Sequence, residues 1–85
     1  MSDDIELLKK KIIYKSSYRG IKELDIILRS FVENYIDKLT LKDLNDLFDF
    51  LNNNDDDIFK FKQGLLENNK IKKNNISDLF KNFSL

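Results

Sequence analysis

The sequence predicts an all-α fold: a compact five-helix bundle built around a long second helix, with two of the five helices short. Three observations carry that expectation. Apolar residues recur every three or four positions along most of the chain. No stretch alternates apolar and polar residues as a half-buried strand does. Proline is absent, so no ring interrupts a helix, and the punctuation falls to serine, asparagine, aspartate and the two glycines.

Residues 4–15 read as the first helix. Ile5, Leu8, Ile12 and Tyr14 or the stem of Lys15 mark its buried stripe, and Leu7 and Ile13 widen it. Ser2 or Asp3 can cap its start, with acids in the first turn and Lys9, Lys10 and Lys11 further along, as the helix dipole favours. Ser16-Ser17 ends the pattern, because serine hydroxyls compete for backbone hydrogen bonds.

The second helix is expected to start near Gly20 or Ile21. Ile21, Leu24, Leu28, Phe31 and Tyr35 are spaced 3, 4, 3 and 4, with Ile27, Val32 and Ile36 broadening the face. A helix of about 17 residues would be about 25 Å long and would span a small domain, so the others should pack on it. Thr40 followed by Asp43 resembles a capping box. Leu41, Leu44, Leu47, Phe48 and Leu51 give a third helix with an acidic outer face, and the short connection implies that helices two and three are antiparallel neighbours.

Asn52-Asn53-Asn54-Asp55-Asp56-Asp57 is a polar turn whose aspartates are expected to cap a short fourth helix bearing Ile58, Phe59, Phe61 and Leu65. Gly64 stands where such a helix can end. Residues 67–75 form a polar connector, and Asn75 or Ser77 starts a last helix carrying Ile76, Leu79, Phe80 and Phe83. At 85 residues the chain is read as one domain, 1–85.

Composition narrows the functional classes. With no histidine and no cysteine, histidine-based catalysis, thiolate chemistry and the usual zinc clusters are excluded. The triple aspartate lacks the alternating ligands, glycine and distal glutamate of a calcium loop, so no metal site is expected. Net charge is zero but segregated: residues 1–22 carry six basic and three acidic side chains, 23–57 three and ten, and 58–85 six and two. Such asymmetry can orient a partner or be neutralised within the fold. The lysines at 9–11 and 70–73 could suggest nucleic acid, but only two arginines and no helix-turn-helix pattern accompany them. No apolar run approaches the length of a membrane span. A soluble protein that stays where it is made, without direct membrane insertion, is the expectation.

The stretch from Ser16 to Asp25 holds Arg19, Gly20 and Glu23. Read locally, Gly20 is a tolerable N-cap, Glu23 then sits at the third helical position, and Arg19 and Glu23 can pair across one turn. A functional reading has Arg19 project from an open corner, its planar fork suited to carboxylates or phosphates, with Gly20 admitting another backbone.

Residues 12–28, followed by Phe31, resemble the SdhE family, the bacterial counterparts of mitochondrial succinate dehydrogenase assembly factor 2. Arg19, Gly20, Glu23, Leu24 and Asp25 match the family's RGxxE-Leu-Asp signature. The resemblance extends over roughly residues 8–66. Phe61 stands where the family usually has tryptophan, Lys62 replaces a typically apolar position, and the proline common in the aspartate turn is missing. Residues 67–85 carry nothing diagnostic of the family.

The resemblance implies an FAD assembly factor, chaperone-like and not an enzyme. It would bind the flavoprotein subunit of succinate dehydrogenase, or that of fumarate reductase, and promote covalent attachment of FAD. Arg19, Gly20 and Glu23, with Asp25 as neighbour, are the implied partner-binding residues. FAD would be carried by the partner, with no cofactor held tightly by this chain and no nucleic acid bound. Two roles follow for Arg19: pairing with a partner carboxylate, or adding positive charge near the flavin. The competing reading is a generic helical adaptor or antitoxin-like regulator whose Arg19–Glu23 corner only starts a helix.

Overall fold

A computed structural model of the chain describes residues 2–65 and 70–85. These form five helices: α1 Ser2–Lys15, α2 Lys22–Tyr35, α3 Leu41–Leu51, α4 Asp55–Lys62 and α5 Asn75–Asn82. The all-helical expectation holds among the described residues. The predicted caps at Ser2 or Asp3 lie outside the described side chains, and the connector at 67–75 lies partly outside the described residues.

The core follows the predicted spacing closely. Ile12 of α1, Leu24, Leu28 and Phe31 of α2, Leu47 of α3, Ile58 of α4, and Ile76 and Phe80 of α5 are fully buried. Aromatic edges knit the far end of the bundle. Phe31 meets Phe80 and Phe83 edge-on at 5.3 and 5.4 Å between ring centroids, and Phe50 meets Phe80 at 5.3 Å. Such pairs add about 0.5–1.5 kcal/mol each beyond the area they bury. Phe50, absent from the predicted stripe of α3, is buried, whereas Leu41 is exposed. Leu7 and Ile13 are also about half exposed, so the buried stripe of α1 is narrower than predicted.

The second helix is not the long organising element. At 14 residues it equals α1. It starts late because Ile21 is extended, with φ −109° and ψ 120°, and serves as an N-cap without a side-chain cap bond. Gly20 is therefore not the N-cap, and Glu23 is the second helical residue instead of the third. Nor is α2 the chief neighbour of α3, which packs mainly on α1 and then on α5, while α2 packs on α1 and α4. Loop length set the expected pairing; burial of Leu44, Leu47 and Leu51 decided the actual one.

The remaining helix ends follow local chemistry. Thr40 and Asn54 each accept from the backbone amide three residues on, so Asn54 and not the aspartates after it caps α4, with those aspartates filling its first turn. Asn74 and Ser77 form a reciprocal capping box at α5, one residue before the predicted start. Gly64, with φ 75°, closes α4: its amide donates to Phe61 and the Leu65 amide donates to Lys60 at 2.9 Å, the paired bonds of a Schellman end. Leu65 lies beyond that end and is exposed.

Candidate functional site

The segment between α1 and α2 is built by satisfying carbonyls that a helix end leaves open. At the end of α1, the Ser16 amide donates to Ile12 O and the Ser17 amide to Tyr14 O. Both serine hydroxyls donate to Ile13 O, at 2.8 and 3.0 Å. Tyr18 then takes a left-handed backbone conformation, φ 58°, which turns the chain back on itself. That conformation costs a residue with a Cβ about 1–2 kcal/mol. The turn brings Arg19 over the end of the helix that preceded it.

Arg19 is the centre of the resulting knot. Its Nη1 donates to Lys15 O at 2.7 Å and to Leu51 O at 3.1 Å, the carbonyls of the last residues of α1 and α3. Its Nη2 donates to Asn53 O at 3.2 Å. Its Nε donates to Asp55 Oδ1 at 2.7 Å, at the first residue of α4. The other oxygen of that carboxylate accepts from the Gly20 amide at 2.6 Å. One guanidinium thus sits against the negative ends of two helices, and one aspartate sits at the positive start of a third. Four of the five guanidinium donors are used inside the chain.

This corrects the expectation that Arg19 projects into solvent: its side chain is only 11% exposed. Asp55, 36 residues away in sequence, is its ion-pair partner, in place of Glu23. Gly20 also serves the fold. A Cβ there would meet Asp55 Oδ2 at 3.0 Å, the oxygen that accepts from the Gly20 amide itself. Any side chain at 20 would press first on Asp55. Glu23 is exposed in the first turn of α2. Asp25 lies in the same turn, half-buried, with Oδ1 buried and without a hydrogen-bond partner among the described residues. The four sequence-predicted site residues therefore share one corner, with Arg19 facing inward, Gly20 backing onto Asp55 and Glu23 facing solvent.

Sequence reasoning did not mark Asp55 or Tyr18 and set Tyr14 on the buried stripe of α1, whereas its side chain is exposed. Asp55 was legible only as a helix-start acid in a run of three. Tyr14 and Tyr18, 74% and 87% exposed, carry no pattern that distinguishes them from core aromatics. Around them a hollow of about 310 Å³ is lined by Tyr14, Lys15, Ser17, Tyr18, Arg19 and Asp55. No group of residues able to hold a metal ion occurs among the described residues. No helix is long and apolar enough to cross a membrane among those residues.

The family model described as the flavinator of succinate dehydrogenase matches residues 10–84, well beyond the 8–66 that the motifs covered. A mitochondrial succinate dehydrogenase assembly factor 2 from Dictyostelium discoideum is 43% identical over 58 residues, covering 68% of this chain and 41% of that protein. The protein of the same name from Aspergillus flavus is 33% identical over 57 residues, 67% of this chain and 20% of its own length. The FAD assembly factor SdhE of Legionella pneumophila is 34% identical over 56 residues, 66% of this chain and 70% of that protein. The matched region thus spans less than half of these two mitochondrial relatives. No solved structure matches the chain. On the match across 10–84, the chain belongs to the family of succinate dehydrogenase flavinators.

Proposed function

We propose that this chain is an FAD assembly factor that binds the flavoprotein subunit of succinate dehydrogenase and promotes covalent attachment of FAD to it. The family match over residues 10–84 is the observation that carries this reading. Composition supports a helper without catalytic chemistry of its own. These 85 residues contain no histidine to serve as a covalent flavin acceptor, and no glycine fingerprint for a dinucleotide. The reacting groups then belong to the partner, and the helper acts by ordering them, lowering the barrier through preorganisation.

The proposed contact surface is the corner containing Arg19, Gly20, Glu23 and Asp25. Arg19 works there mainly as its frame. With four donors engaged it does not offer a bidentate fork to a partner carboxylate, and the Asp55 carboxylate offsets its charge. Glu23 is the solvent-facing charge of the motif. The test is co-expression with a flavoprotein subunit that is poorly flavinylated alone, with covalent flavin read by fluorescence in a denaturing gel. The expected result is a several-fold gain in covalent flavin with the intact chain, reduced by Glu23→Ala without loss of helical circular dichroism. Equal flavinylation with and without the chain would overturn the proposal.

A further inference from the structure

Tyr18 is the described non-glycine residue with a left-handed backbone, and its ring is almost wholly in solvent. Its hydroxyl makes no hydrogen bond among the described residues. The turn needs the conformation but not the tyrosine, since asparagine or glycine adopts it with less strain. A bulky ring kept on a strained, exposed position points to a use outside the fold.

Its surroundings indicate that use. Tyr14, one turn earlier on α1, is also exposed. Beside it runs a groove of about 400 Å³ lined by Lys10, Lys11, Tyr14, Lys15 and Phe48, with no carboxylate in its wall. Lys15 lies over the Phe48 ring, 5.2 Å from its centroid, and donates to Asn52, so the groove floor is ordered. The groove shares Tyr14 and Lys15 with the hollow at Tyr18, where Arg19 and Asp55 neutralise each other. The lysines therefore set the sign of the strip. It is basic, and it is studded with aromatics that bury large areas at little rotamer cost.

We infer that this Tyr18–Tyr14–Phe48 strip seats an acidic segment of the flavoprotein subunit bearing an apolar side chain, with Tyr18 as its anchor. This rests on the flavoprotein reading above and extends its surface from the motif corner along α1. The lysines steer the acidic segment and the tyrosines hold its apolar side chain.

The experiment is calorimetric titration of the full chain into the isolated subunit at low and at physiological salt, beside thermal melts of each variant. Tyr18→Asn is expected to raise Tm by several degrees while weakening binding about tenfold or more. Tyr14→Ala weakens binding with the fold intact. Lys10→Glu combined with Lys11→Glu weakens binding and flattens its salt dependence. A Tm that falls in Tyr18→Asn would show that the ring serves the fold and would overturn the inference. So would unchanged affinity in Tyr18→Asn and the lysine variants while the unaltered chain binds. If the unaltered chain does not bind the subunit at all, the flavoprotein reading falls, and this inference falls with it.

Discussion

Both ends of α4 are tied to the rest of the molecule by a cation that serves the carbonyl end of another helix, and the two ties are made differently. At the start, Asp55 receives Arg19, whose planar fork reaches three carbonyls from α1, α3 and the loop after α3. At the finish, Lys62 turns its ammonium onto the end of α5, donating to Phe80 O at 2.7 Å, to Lys81 O at 3.0 Å and to Phe83 O. It also lies over the Phe80 ring, 5.2 Å from its centroid. No carboxylate accompanies it among these contacts. Burial lowers the Lys62 pKa from the ordinary 10.5. The fork fixes directions and keeps its charge at any accessible pH; the ammonium is a point charge that can lose its proton. The same short helix thus carries one tie that sets geometry and one that only closes a helix end. The first is where the family motif lies.

The largest expected effect breaks the first tie. Arg19→Ala should destabilise the fold by about 3 kcal/mol, because it opens three carbonyls and leaves Asp55 without its cation. Chemical denaturation would measure it. Asp55→Ala should cost somewhat less, and the double variant less than the two losses together, giving a coupling of about 1–2 kcal/mol. Additive losses would show that the pair does not act as a unit. This changes how flavinylation by Arg19→Ala must be judged: lost activity counts for the corner's surface only if the variant is folded under the assay.

The second tie should be weaker. Lys62→Met keeps the apolar stem over Phe80 but removes the ammonium, and about 1–2 kcal/mol of stability should go with it. Proteolysis or hydrogen exchange should place the loosening at α5, with the Arg19 corner unaffected. Equal loosening at both ends would mean that α4 transmits strain along its length.

The smallest effect concerns pH. A folded-state pKa below that of the unfolded chain means that the unfolded chain binds more protons in the window just below 10.5. Stability should therefore rise slightly with pH there, and the slope should vanish in Lys62→Met. A falling difference would show that the carbonyls, not desolvation, dominate at Lys62.

Much of this molecule is set by the sequence alone. The periodic apolar residues of α2, α3 and α5, the cap at Thr40, and the glycine end of α4 all follow from local chemistry, because each involves groups within a few residues of one another. What only the tertiary structure decided lies across long separations. It paired Arg19 with Asp55, 36 residues on, and so turned inward a side chain that local reasoning left outward. It shortened α2, because Asp55 holds the Gly20 amide and the chain next to it stays extended. It set α3 against α1, because the buried faces of those helices match better than the short loop between α2 and α3 suggests. It made Lys62 a cap, which no pattern around position 62 announces. Local propensity chooses each helix and its ends; which helix end receives a distant charge is chosen by packing, where one carboxylate and one guanidinium find each other only once three helices have met.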